Sequence, residues 1–325
     1  WRIVIQCLWN SAKTAKSRYV LCRMYFGLLH PCCDVRAVTQ PYLINITVLK
    51  IGRFMKKFRT VYHTINTHRI IPGKTVRFAV LADLHGLEFG PGNERLIQKI
   101  QECSPDAVLV SGDVIVRNCT DTFDTAAELL TRLAESYPVF YALGNHEYKL
   151  YTADPGENEL AEEYLKYEER LKKAGVRILH NQCELLEAEG CPFNVYGLEI
   201  PLIYYKKPKS PMLQTEEIQQ LIGKPDQDRV NLLLAHNPKY GNAYFEWGAD
   251  LILSGHYHGG IVRFGRNKGI LSPQFQLFPP YCCGAFHRKN QHMYVSAGLG
   301  EHTIPVRIHN PRELLIVDYR GREEK

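Results

Sequence analysis

Nowhere in its 325 residues does this sequence hold the uninterrupted apolar run of about 18 residues that a membrane-crossing helix requires. No transmembrane helix is therefore expected. A signal peptide is not expected either, because no basic start, apolar run and small-residue cleavage site follow one another in that order. Cys-x-x-Cys pairs are missing, which argues against a zinc ribbon. The ten cysteines include the adjacent pairs Cys32–Cys33 and Cys282–Cys283, which cannot readily bridge internally. All are read as free thiols of a reducing compartment. Internal repeats and low-complexity tracts are absent. No basic stripe with interleaved aromatic residues runs through the chain. The net charge is +6, but Lys13, Lys16, Arg18, Arg23, Arg53, Lys56, Lys57 and Arg59 all precede the region that carries motifs. The remainder is near neutral, so nucleic acid is not an expected partner.

Residues 1–54 lack a convincing period and carry four of the cysteines. Met55 opens Met-Lys-Lys-Phe-Arg, which looks like a bacterial start. Residues 1–54 are accordingly expected to be an extension that forms no packed domain, with a basic helix around Ser11 to Leu29 as the alternative. Residues 55–74 read as a lead-in, 75–320 as the main domain and 321–325 as a charged tail. In the main domain short apolar runs alternate with helical periods. Val76–Ala82, Ala107–Ser111 and Val139–Leu143 read as strands, and Asn93–Cys103 and Phe123–Glu135 as the helices between them. A charged helix is expected over Asn158–Ala174, with Asn158 as its cap. Beyond it the pattern is strand-rich, with helix at Thr215–Ile222 and Pro238–Trp247 and long loops at 201–228 and 262–291. Two sheets packed face to face with helices outside fit this order.

Each apolar run stops at chemistry. The first ends in Asp83-Leu-His85, the second in Gly112-Asp113, and the third in Gly144-Asn145-His146-Glu147. Later runs end in His236-Asn237-Pro238 and in Gly255-His256-Tyr257-His258-Gly259. Strand ends are where α/β folds place ligands. In extended backbone, residues i and i+2 point the same way, so Asp83 with His85, and His256 with His258, can each face one metal. A donor set of imidazole, carboxylate and amide without thiolate suits Mn²⁺, Fe or Zn²⁺. Alone, Asp-x-His or Gly-Asp is an ordinary cap or turn. Five such elements in order, each behind a strand, point to a metal site.

The ordered set resembles the calcineurin-like metallophosphoesterases over roughly residues 75–320. Leu271-Ser-Pro273, Tyr294-Val-Ser-Ala-Gly298-Leu-Gly300 and Pro305-Val-Arg307 resemble bacterial members often tethered to membranes, a group with phosphodiesterases and relatives of UDP-2,3-diacylglucosamine hydrolases. The resemblance implies an α/β fold, a four-layer α/β/β/α sandwich, and two divalent metal ions. Asp83, His85 and His258 would hold the first ion, Asn145, His236 and His256 the second, and Asp113 would bridge them. A hydroxide between the ions would attack phosphorus in line. His146 would protonate the leaving oxygen, Glu147 would support the site, and Arg117 would contact phosphate. Some branches place an orienting Asp, and the purple acid phosphatases a metal-bound Tyr, at the position of Val116. Close relatives often carry Gln where this chain has Ile261.

The function read from all this is hydrolysis of a phosphodiester, phosphomonoester or pyrophosphate bond in a small or lipid-linked substrate. The alternatives are a metal-binding scaffold without catalysis and a nuclease. The expected location is the cytoplasm, with peripheral contact at a membrane left open, as is the oligomeric state.

Overall fold

The computed structural model describes residues 56–206, 209–260, 262–265, 267–270, 277–301 and 307–323, and the backbone of 2–7 and 22–27. The motif stretches Leu271-Ser-Pro273 and Pro305-Val, and Ile261, lie outside the described residues. The chain divides into two units, Trp1–Phe54 and Met55–Lys325. In the first, β1 (Arg2–Cys7) and β2 (Cys22–Gly27) pair antiparallel, with Arg2 opposite Gly27 and Cys7 opposite Cys22. The second strand occupies part of the segment offered as a helix, so Ser11–Leu29 is not one helix.

The second unit opens with β3 (Phe58–Thr67), where the sequence suggests only a lead-in over 55–74. Only Ile65 of this strand is buried, because β3 lies at a sheet edge, and its apolar alternation is correspondingly weak. Next come β4 (Thr75–Leu81), α1 (Glu94–Cys103), β5 (Ala107–Ser111), α2 (Asp121–Ala134), β6 (Val139–Ala142), α3 (Asn145–Tyr151), α4 (Glu159–Lys173) and β7 (Arg177–Ile178). The chain continues through β8 (Cys183–Ala188), β9 (Cys191–Leu198), α5 (Thr215–Ile222), β10 (Val230–Ala235), α6 (Gly241–Trp247) and β11 (Leu251–Ser254). The remaining strands are β12 (Arg263–Phe264), β13 (Lys268–Gly269), β14 (Gly284–Arg288), β15 (Gln291–Val295) and β16 (Arg312–Gly321). Among its described residues the expected loop 262–291 thus holds three short strands. Gly321, assigned to the tail, is the last rung of β16 and faces Thr67.

Two six-stranded sheets result, in the orders β3-β16-β4-β5-β6-β7 and β14-β15-β11-β10-β9-β8. β4 to β7 run parallel in one, and β9, β10, β11 and β15 run parallel in the other. Alternate residues of each central strand serve two cores. Phe78 and Val80 of β4 meet Phe193, Leu232 and Leu253 between the sheets, while Ala79 and Leu81 face α1, α2 and α4. Leu232 and Leu234 of β10 point to the same inter-sheet core, and Leu233 faces α5 and α6. With both faces buried, these strands read as continuous apolar runs. Four layers follow: helices, sheet, sheet, helices.

The helices show their causes locally. α1 buries Leu96, Ile97, Ile100 and Cys103 along one stripe. α4 is capped as expected, the Asn158 side chain accepting from Leu160 N–H at 3.1 Å. Its acids, Glu159 and Glu162, lie in the first turn, and Arg170, Lys172 and Lys173 lie in the last, which matches the helix dipole. Among the described residues no helix is long and apolar enough to cross a membrane.

Candidate metal centre

The parallel strands of both sheets end at one place. β4 delivers Asp83 and His85, β5 Asp113, and β6 the start of α3 with Asn145 and His146. From the facing sheet β10 delivers His236, and β11 delivers His256 and His258. The ends of β5 and β6 pack closely here. Gly112 and Gly144 leave no room for a side chain, since a Cβ on Gly112 would lie 2.4 Å from Gly144 N and one on Gly144 2.1 Å from Asp113 Oδ1.

The backbone of the ligand pairs differs from the extended form that the spacing suggests. Asp83, His85, Asp113, His256 and His258 have φ of 51°, 48°, 53°, 66° and 48°. Each is a non-glycine residue in the left-handed region, at a cost of roughly 1–3 kcal/mol apiece. Asp83 with His85, and His256 with His258, therefore converge through tight left-handed turns and not through the pleat of a strand. The surrounding bonds enforce these turns. Asp83 N–H donates to Gly112 O at 3.0 Å, His85 N–H to Asp113 O at 3.1 Å, and Gly255 N–H to His236 O at 3.1 Å.

Among the described residues donor atoms gather in three groups: Asp83, His85 and His258; Asp113, His236 and His256; and His85, Asp113 and His146. Within each group the candidate donors lie within 4.8 Å of one another. His258 Nε2 is 3.4 Å from Asp83 Oδ1. Asp113 Oδ2 is 3.1 Å from His236 Nε2 and 3.9 Å from His85 Nε2, so its carboxylate faces both groups. The imidazoles are oriented from behind. His85 Nδ1 meets Ile115 O at 3.2 Å and His236 Nδ1 meets Ser111 O at 2.6 Å. Carbonyls on Nδ1 turn the Nε2 lone pairs toward the cluster, as in metal-ligating histidines. His85 Nε2 and His258 Nε2 oppose each other at 3.2 Å. Asn145 Oδ1 is buried and has no hydrogen-bond partner among the described residues. Facing imidazole nitrogens, an orphaned amide oxygen and two carboxylates form a donor set that fits divalent cations.

The electrostatics agree. Burial, with the nearby Asp113 charge, pushes the Asp83 carboxyl up to about 7, against the pull of His236. Burial brings His85 down to about 3. Burial also works against charge on Asp113, but His236 and His146 outweigh it and hold that carboxyl well below its usual range. The same contact lifts His236 to about 9, although burial alone would lower it. Asp83 and His236 would thus give up protons on binding cations, whereas Asp113 and His85 already stand in their ligating forms.

Glu147 supports the site, as its sequence position suggests. Its carboxylate accepts from the N–H groups of Asp113, Val114, Ile115 and Gly144 at 2.8–3.2 Å, and from Tyr141 Oη at 2.9 Å. It is fully buried and holds the backbone on either side of Asp113. His146 lies beside the cluster, its ring centroid 4.9 Å from that of His85, and its N–H donates to Asp113 Oδ1 at 2.9 Å. Arg117 is drawn in by its main chain: its N–H donates to His146 Nδ1 at 3.2 Å. That bond leaves the proton of the neutral ring on Nε2. Burial lowers the His146 pKa, Asp113 opposes this, and the Arg117 charge adds to the lowering. In place of the carboxylate that Val116 cannot supply, a peptide N–H orients the ring.

Two residues at the site escape sequence reasoning. Arg307 belongs to a motif but has no assigned role. Its Nη2 reaches to 3.4 Å from His258 Nδ1, and its Nη1 donates to Ala297 O at 2.7 Å. Tyr205 presents its ring edge-on to His256, with centroids 5.2 Å apart. It lies in a 3-10 turn, Leu202–Tyr205, inside an expected loop, and no local pattern announces it.

Residues 76–260 match the family model described as calcineurin-like phosphoesterase. Among curated proteins, a transmembrane protein with metallophosphoesterase domain from Danio rerio is 28% identical over 261 residues, which are 74% of this chain and 52% of that protein. An uncharacterized metallophosphoesterase from Campylobacter jejuni is 28% identical over 255 residues, covering 77% of this chain and 60% of the relative. Phosphodiesterase YaeI from Escherichia coli is 27% identical over 223 residues, covering 68% and 73%. The chain therefore spans only 52% and 60% of the first two relatives' lengths.

Proposed function

Because the chain belongs to the calcineurin-like phosphoesterase family, we propose that it hydrolyses a phosphoric ester with two divalent metal ions. Asp83, His85 and His258 would hold one ion, Asn145, His236 and His256 the other, and Asp113 both. One observation carries the reading: side chains from the ends of both sheets bring their donors together, with Asp113 common to more than one group. Bound there, two cations would activate water and neutralise charge on the phosphoryl oxygens. The chain itself does the rest. Asp113, held by Glu147 through the backbone, fixes the spacing of the two groups. His146 carries its proton on Nε2 and donates it to the leaving oxygen. The negative charge of a bound phosphate would offset the lowering of its pKa. The Arg117 guanidinium is proposed to contact that phosphate.

A small or lipid-linked phosphodiester or monoester is the favoured substrate, and Mn²⁺, Fe or Zn²⁺ the favoured metal. Tyr205 edges the site, an aromatic contact suited to an organic leaving group. Contact with a membrane surface belongs to the same proposal, with the exposed Phe264 and Phe278 as the apolar side chains it would use. The test compares aryl phosphodiester and monoester turnover after chelation and after adding back Mn²⁺, and then screens phosphate compounds that include UDP-sugar lipids. Asp113→Asn should cut turnover by orders of magnitude and lower metal content while the fold persists. Metal-independent turnover, or none with any ester, refutes the reading.

A further inference from the structure

The match to the family ends at residue 260, yet the loop that carries His258 is fastened by residues well beyond it. His258, Gly259 and Gly260 have φ of 48°, 68° and 76°, three left-handed residues in succession. Such a run makes no regular ladder, so its carbonyls need partners from elsewhere. Both outer carbonyls have the same one. Asn310 Nδ2 donates to His258 O at 2.5 Å and to Gly260 O at 2.6 Å. Asn310 is only 3% exposed. Its amide oxygen lies so close to Gly259 that a Cβ there would be 2.4 Å away. The two N–H groups of one amide thus span the turn that presents His258, a task neither a carboxylate nor an aliphatic side chain can perform.

The same segment secures Asp83. Arg307 donates to Ala297 O at 2.7 Å and to Gly300 O at 2.6 Å. The loop so gathered lies against Asp83, with Gly300 N–H on Asp83 O at 2.5 Å and Leu299 N–H on Ala82 O at 3.1 Å. Glu313, at the start of β16, anchors this region by accepting from Arg263, Arg59 and Ala297 N–H. Arg307 and Asn310 therefore act on Asp83 and His258, which share one donor group. Among the described residues the other group, Asp113, His236 and His256, touches neither Arg307 nor Asn310 in any such bond, and meets this segment only through Asp83, whose carboxylate accepts from His256 N–H at 2.9 and 3.1 Å.

We infer that Asn310, with Arg307, is a positioning residue for the first of the two metal ions and acts on the second less, through the Asp83–His256 contact alone. The inference rests on the two-metal reading above. The experiment uses the full chain, freed of metal and titrated with Mn²⁺, followed by calorimetry and by electron paramagnetic resonance, which separates a coupled ion pair from a single ion. Asn310→Leu keeps the volume and removes both donors. It is expected to weaken one of two binding events about 10–100-fold, the usual effect of losing a group that orients a ligand. At two equivalents the coupled signal should give way to that of one isolated ion. If Asn310→Leu does not fold, Asn310→Ser, which retains a single donor, is measured in its place and should give an intermediate loss. Asn145→Ala serves as the control for the other ion and should also leave one ion bound. Unchanged binding in a folded Asn310 variant, or equal loss of both ions, overturns the proposal. A wild-type chain that never binds two ions overturns the two-metal reading itself, and this proposal with it.

Discussion

At the scale of single residues, the histidines near the donors have different surroundings and should respond differently to removal. His256 belongs to a donor group with Asp113 and His236. His146 sits at the edge, oriented through Nδ1 by the Arg117 amide. His256→Ala should lower metal occupancy. His146→Ala should retain both ions and slow turnover by about 10²–10⁴-fold on esters with alkoxide leaving groups, the usual size of general-acid assistance. It should slow aryl esters less, because p-nitrophenolate departs without a proton. Metal analysis of both variants and rates on alkyl and aryl esters make the check. A lost ion in His146→Ala would instead make His146 a ligand, which its grouping with His85 and Asp113 permits geometrically. The residue types at these positions were legible in the sequence, but their left-handed backbone was not. That conformation is imposed by bonds such as Asp83 N–H to Gly112 O, between residues far apart in the chain.

Between elements, one ionic contact ties the two sheets together beside the site. His180, after β7, is 3.0 Å from Glu199, which follows β9, and it also bonds Glu168 of α4. Tyr151 of α3 stacks on its ring at 4.2 Å. Burial would lower the His180 pKa, but the two carboxylates outweigh it and lift it to about 9. The folded value exceeds the unfolded one of about 6.5, so this stabilisation is full below pH 6.5 and fades as pH rises through about 9. The melting temperature of wild type should exceed that of His180→Gln at pH 6, and the gap should shrink toward pH 10. A gap that stays constant would show that charge on His180 contributes nothing. The period-two and period-3.6 patterns revealed most central strands and helices. They missed the edge strands β3, with one buried residue, β8 and β14, and they missed α3, whose first turn is Asn145-His146-Glu147, polar residues placed there by the site.

For the whole molecule, the chain divides into two units at Phe54–Met55. We propose that residues 1–54 are dispensable for folding of the second unit. A chain beginning at Met55 keeps all of β3 and every candidate ligand, and it should fold, melt within a few degrees of the full chain and retain metal-dependent hydrolysis. Thermal melts and ester assays of the two chains decide this. Insoluble expression or a much lower melting point would assign the extension a structural part.

The sequence by itself determined the layered α/β class, the strands whose two buried faces make them uniformly apolar, and the list of polar residues at which those strands stop. These are local properties, written in short windows of the chain. Only the tertiary structure decided which of those residues share a donor group, that Asp113 faces two groups at once, and that Glu147 binds four backbone amides around it. It alone brought Arg307 and Asn310 to His258. The physical reason is that such contacts join residues separated by tens to hundreds of positions, through β16 returning to lie beside β4 and through the two sheets closing on a common core. No window of sequence contains that closure.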